Sequence, residues 1–148
     1  MVYHSKGEKE TRKIAEQLAQ KVIKLQKTTV IALEGELGAG KTTFVKGFAK
    51  ALGIKAKIKS PTFVLMKKYP IPAPCSMIHV SRFLYHLDCY RVRDHKDLET
   101  LDLKSIFSSP DSIVLIEWPE RVSKILPKNI IRVHIDHINE HKRKITIS

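Results

Sequence analysis

Apolar residues Ile14, Leu18, Val22 and Leu25 recur at the spacing of one helix face. This predicts an amphipathic helix over roughly residues 8–26. Ahead of it, Ser5-Lys6-Gly7-Glu8 has the form of a capping box, with Ser5 as N-cap and Glu8 reaching back. Residues 28–33 are β-branched and apolar, which predicts a buried strand. The stretch "TTFVKGFAKALG" predicts a second helix, stopped by Gly53 at its C-terminal cap. A strand is expected near residues 62–69, with Pro61 barring helix before it. Three prolines within residues 70–74 predict a loop. "RFLYHLDCYR" alternates, with Arg82, Leu84, His86, Asp88 and Tyr90 on one face and Phe83, Tyr85, Leu87 and Cys89 on the other. "DHKDLETLDLKSIF" predicts a helix capped by Asp94, with Leu98, Leu101 and Phe107 inward. "SIVLIEW" is an apolar strand ending in an acid. "IIRVHID" and "RKITIS" predict a closing hairpin across "HINEHK".

No repeat or linker divides the pattern, and 148 residues suffice for one domain with a sizeable core. The hydrophobic share of 43% and mean hydropathy of −0.19 suit a soluble globular chain. No run approaches the ~18 apolar residues of a membrane span. The polar N-terminus lacks a signal-peptide core, so a cytoplasmic protein is expected. Cys75 and Cys89 have no metal or redox spacing and read as reduced thiols. Charge is more informative. Lysine and arginine number 27 against 15 acids, a net +12. The resulting pI near 9.8 suits contact with RNA or another polyanion. Lysine-rich composition also serves plain solubility, and no arginine-rich tail or recognition helix is present.

Directly after the apolar run 30–33 comes Gly35-x-x-x-x-Gly40-Lys41-Thr42. Glycines 35, 38 and 40 let the backbone turn sharply and aim N–H groups at phosphates. The helix that follows adds the positive end of its dipole. Lys41 offers a charge to the β- and γ-phosphates, and Thr42 a hydroxyl to Mg²⁺. The preceding strand and following helix are the context this mechanism needs. A bare glycine turn with a stray lysine explains less.

Such a loop requires a further magnesium contact and a group that orients water. Ligands of open α/β sheets sit at the carboxyl ends of strands. Glu117 closes the apolar "IVLIE" and has the position of a Walker B acid. Asp88 closes "FLYHLD". It fits a water-orienting base or an outer magnesium ligand about as well as a structural cap of the next loop. Thr62, in "SPTF", could reach the γ-phosphate or magnesium as part of a switch. His134, His137 and His141 are explained by alternation and turn placement, and no zinc site is assigned.

In order, "GELGAGKTTFVKGFAKALG", "SPTF", "YHLDCYR", "IEWPER" and "LP" resemble the TsaE (YjeE) family, P-loop ATPases of tRNA threonylcarbamoyladenosine (t6A) biosynthesis. The resemblance spans most of the chain. It implies a single-domain, three-layer α/β P-loop NTPase fold with a mixed parallel and antiparallel sheet. It implies ATP or ADP cradled by Leu37, Gly38, Ala39, Gly40, Lys41, Thr42 and Thr43, with Mg²⁺ on Thr42 and Glu117. Lys41, Asp88 and Thr62 would then serve hydrolysis. Glu8 or Thr11, and His141 or Arg143, would hold the adenine side. The implied partners are TsaD-like and TsaB-like proteins, with tRNA reached through their complex and no membrane. "PIPAPCSMIHVSR", residues 70–82, is extra relative to the compact family pattern. Two other functions share the motif: a small-molecule kinase, which needs an acceptor pocket and an arginine-bearing lid, and a nucleotide-gated binding module that hydrolyses little.

Overall fold

The computed structural model describes residues 1–61, 64–72, 82–110 and 112–148. Seven strands form one sheet: β1 Val2–Ser5, β2 Thr29–Glu34, β3 Met66–Ile71, β4 Arg82–Asp88, β5 Ile113–Glu117, β6 Ile131–His137 and β7 Arg143–Ile147. Their order is β1-β7-β6-β2-β5-β4-β3. The four central strands, β6-β2-β5-β4, run parallel, while β1, β7 and β3 join antiparallel. The expected mixed sheet is present. Its two middle strands, β2 and β5, are nearly all apolar, because both their faces are covered.

On one face lie α1 (Glu8–Ile23) and α2 (Lys41–Ala51). Their apolar stripes meet Ile31, Leu33, Leu115 and Ile145 from the sheet. On the other lie two 3-10 segments, His95–Leu101 and Pro119–Ile125, and the short α3 (Leu103–Ser108). They cover Val30, Leu87, Val114 and Ile116. Leu84 faces the first layer and Tyr85, Leu87 and Cys89 the second, as the alternation of β4 predicts.

Gly53 closes α2 as expected, with φ of +81°. Its N–H donates to the Lys50 carbonyl, and that of Ile54 donates to Ala49, a pair that completes a Schellman turn.

Several expectations need correction. Ser5 is not the N-cap of α1, which starts at Glu8 beside an extended Gly7. Ser5 belongs to β1 and pairs with Arg143. Its Oγ lies 2.7 Å from Thr11 Oγ1, and the residue that reaches back is Glu10, accepting from Lys6 N at 2.8 Å. The predicted helix 8–26 stops at Ile23, and Gln26 turns left-handed at φ 50°. Strand β3 begins later than residue 62 and includes Pro70, tolerated because β3 is an edge strand. The helix predicted from Asp94 breaks at Asp102, φ 49°. Its Asp94 cap holds, accepting from Lys96 N at 3.3 Å. Leu98, Leu103 and Ile106 are its buried residues, while Leu101 and Phe107 are half-buried. No helix among the described residues is long and apolar enough to cross a membrane.

Candidate functional site

The parallel strands fix the site. Strand β2 ends in the glycine loop, and β5 and β4 end beside it in register, with Leu33 opposite Glu117 and Glu117 opposite Asp88. The sheet itself thus sets two carboxylates next to the loop. A cavity of about 740 Å³ opens over these strand ends. Residues 37–43, Glu8, Thr11, Asp88, Glu117, His141 and Arg143 all line it, so the described residues expected to hold nucleotide, magnesium or water stand around one cavity, while Gly35 lies outside its lining. Thr62 and most of the extra segment lie outside the described residues.

Gly38 and Gly40 have φ of +79° and +106°. An L side chain would be strained at either, so glycine is what lets the loop curl. Gly35 is constrained differently: a Cβ there would lie 2.6 Å from the Ile135 carbonyl of β6. Arg143 braces the loop from β7. Its Nε donates to the Ala39 carbonyl at 3.0 Å and an Nη to the Asn139 carbonyl at 2.7 Å.

Lys41 is almost fully buried at the start of α2. Its ammonium donates to the carbonyls of Gly35 and Glu36. It also sits 4.0 Å from the ring centroid of Trp118. Burial pushes its pKa below the ordinary lysine value, partly offset by the Glu117, Glu120 and Asp88 carboxylates. A cation so desolvated interacts with an anion more strongly than one in water would.

Thr42 Oγ1 lies 3.5 Å from Glu117 Oε1. Glu117 is only 2% exposed. Its Oε2 is 3.6 Å from Nε2 of His86, a buried ring with no hydrogen bond on either nitrogen among the described residues. A buried carboxylate so short of donors, facing a hydroxyl, suits a hard cation that prefers oxygen ligands. The chemistry of this pair therefore fits magnesium, although no three His, Cys, Asp or Glu cluster as a metal centre among the described residues. Asp88 accepts from Ser60 Oγ and, at 3.0 Å, from Tyr90 N. It caps the next loop and also lines the cavity.

Three neighbours escaped the sequence reading. Trp118 is left-handed, φ 59°, and its ring links Lys41 to Tyr90, 5.0 Å away. Ser60 holds Asp88 from the segment after α2. His86 had one signal, its shared strand face with Asp88. Trp118 had none beyond its place after Glu117, because its backbone turn is not written in the apolar pattern. Glu8 and His141 lie at the rim with side chains largely in solvent, the latter 78% exposed.

The sequence profile of "Threonylcarbamoyl adenosine biosynthesis protein TsaE" matches residues 5–145. A tRNA threonylcarbamoyladenosine biosynthesis protein TsaE from Aquifex aeolicus is 38% identical over 143 residues, covering 95% of this chain and 90% of that protein. The proteins of the same name from Haemophilus influenzae and Bacillus subtilis are 35% and 38% identical, over 86% and 80% of this chain and 77% and 68% of theirs. Among solved structures, YdiB from Bacillus subtilis superposes with a TM-score of 0.78 at 31% identity, covering 99% of this chain and 83% of that one.

Proposed function

This chain belongs to the TsaE family of threonylcarbamoyl adenosine biosynthesis proteins, and from that membership we propose that it is the ATP-binding and ATP-hydrolysing subunit of tRNA t6A formation, acting in the cytoplasm with TsaD-like and TsaB-like proteins. The observation that carries the reading is the register of Asp88 and Glu117. Two buried carboxylates stand on adjacent parallel strands beside a glycine loop that supplies Lys41 and Thr42.

In this reading the N–H groups of residues 37–43 and the start of α2 bind the phosphates. Lys41 leaves the Gly35 and Glu36 carbonyls to meet the terminal phosphates, and Trp118 keeps water from its flank. Thr42 and Glu117 would hold magnesium, which when bound offsets phosphate charge. Asp88, fixed by Ser60 and the Tyr90 N–H, orients the water that attacks the γ-phosphate, giving ADP and phosphate. Thr62, in "SPTF", would belong to a switch segment. Thr11 and Glu8, at the α1 start, and His141, at the hairpin tip, flank the adenine. Arg143 holds the loop rather than the base. Arg91 also lines the cavity. Most P-loop hydrolysis is slow until an arginine is brought to the phosphates, a gain of roughly 10³–10⁵. The proposed chain is accordingly a weak ATPase alone and a coupled one in its complex.

The test is reconstitution with TsaD-like and TsaB-like proteins, tRNA and a threonylcarbamoyl donor. Multiple-turnover t6A formation should require this chain and its Lys41. Equal yields without the chain would move the weight to a kinase on the same scaffold.

A further inference from the structure

The net charge of the chain is not evenly spread. Between Glu36 and Asp88 there is no acid at all, while nine lysines and arginines fall there. The rest of the chain is close to balance, 18 bases against 15 acids. Lys41 and Arg82 of this group are buried, the latter donating to the Ile23 carbonyl at 3.1 Å. Lys68 lies over the Phe83 ring at 4.0 Å. The other six, Lys46, Lys50, Lys55, Lys57, Lys59 and Lys67, are exposed.

The fold brings most of them to one edge. After α2 the chain turns at Gly53, packed against Pro72 at the far end of β3. It returns along the sheet margin to Ser60, whose hydroxyl meets Asp88 at the nucleotide site. Along "IKAKIKS", Ile58 is buried and Ile54 packs on the core, while Lys55, Lys57 and Lys59 are exposed. Lysine takes every second position from 55 to 59, in a segment that bends at Ala56, so three exposed charges fall within five residues, a density that suits contact with several phosphates of a nucleic-acid strand. Lys67 adjoins from β3, the terminal strand of the sheet, on the face that Tyr69 and Ile71 give to the same core.

We propose that this acid-free edge, Lys50 to Lys59 with Lys67, is a docking surface for the sugar–phosphate backbone of RNA. Protection of an edge strand against aggregation explains lysine on β3, but the segment 55–59 is not a strand of the sheet. An acidic protein partner is disfavoured by what the strip lacks. From Lys55 to Ser60 the exposed side chains are lysines, one alanine and one serine, with no aromatic or large apolar anchor. Protein interfaces are enriched in such anchors and depleted of lysine. Phosphate contacts need only placed charge. Choosing tRNA as the RNA rests on the function proposed above, whereas the surface chemistry does not. Because the strip ends at Ser60, RNA on it would bear directly on the residue that holds Asp88.

The experiment measures fluorescence anisotropy of a labelled tRNA transcript with the full chain over a series of KCl concentrations. It compares wild type with Lys55→Gln/Lys57→Gln/Lys59→Gln and with Lys104→Gln/Lys124→Gln/Lys128→Gln, which removes equal charge from the opposite layer. Affinity of the first variant should fall roughly tenfold or more at low salt. Its slope of log K against log salt should shrink by about 2–3, the loss of three phosphate contacts. The second variant should stay near wild type. Equal losses in both variants, an unchanged first variant, or no binding of tRNA by wild type would overturn the proposal. So would equally tight, lysine-dependent binding of poly-glutamate, which would give the surface to an acidic protein. Labelled ADP affinity, read on the same samples, should be unchanged in both variants. Its absence in wild type would count against the nucleotide-site reading and leave the RNA result to stand by itself.

Discussion

Replacing Gly47 by alanine tests the packing that holds the two walls of the cavity together. Gly47 lies inside α2, where glycine costs about 1 kcal/mol relative to alanine, so propensity alone favours the change. The structure opposes it. A Cβ at Gly47 would stand 2.5 Å from the Arg12 carbonyl oxygen, 2.6 Å from its Cα and 2.9 Å from its carbonyl carbon, all backbone atoms of α1. Ordinary contact begins near 3.4 Å, and no rotamer can relieve a clash with backbone. The helices would have to part by close to 1 Å, stretching the contacts of Ala15, Leu18, Phe44 and Phe48. Overpacking of this kind costs about 1–3 kcal/mol. With its source in backbone the upper half applies, and subtracting the propensity gain leaves about 1–2 kcal/mol. Scanning calorimetry of Gly47→Ala should show Tm lower by about 2–8 °C. Nucleotide affinity should fall with it, because α1 carries Thr11 and α2 carries Thr42, and both line the cavity. A variant as stable as wild type, or more so, would refute the claim that this close helix approach is required.

Other perturbations separate the roles proposed in the site. Glu117→Ala should raise the magnesium concentration needed for nucleotide turnover, whereas Asp88→Ala should lower turnover and leave nucleotide affinity nearly intact; a titration of rate against magnesium, set beside binding curves, distinguishes them. Burial and the neighbouring Asp88 push the Cys89 thiol up to about 12. In a Cys75→Ser background, Cys89 should resist a thiol reagent at pH 8 until the chain is unfolded in urea. The same shift fixes a sign. The neutral thiol stabilises the fold fully below about pH 9 and progressively less between about 9 and about 12. Cys89→Ala should therefore flatten the alkaline limb of stability against pH.

Much of the architecture was legible because β2 and β5 are apolar on both faces, β6 alternates and each long helix carries one apolar stripe. The strand before the loop, the helix after it and the closing hairpin follow from period alone. The acids were legible for a topological reason: strands of a parallel sheet end together, so Glu117 and Asp88 had to meet beside the loop. What remained hidden depends on tertiary contact. Strand β1 is four residues long and exists by pairing with β7, which drew Ser5 away from the helix it seemed to cap. The break at Asp102 and the left-handed turn at Trp118 are backbone events that hydrophobic spacing does not encode. The second turn set a ring on Lys41 that no motif announced.

The claim that nucleotide drives this chain is tested most directly by calorimetric titration of Mg-ADP and Mg-ATP into wild type and Lys41→Ala. Lys41 donates charge-assisted hydrogen bonds from a desolvated position, worth about 1.5–3 kcal/mol to a phosphate. The account predicts saturable binding at a single site in wild type and a loss of roughly 10- to 100-fold in affinity in the variant, with the fold intact by circular dichroism. Wild type that takes up no nucleotide, or a Lys41→Ala chain that binds as tightly as wild type, would contradict it.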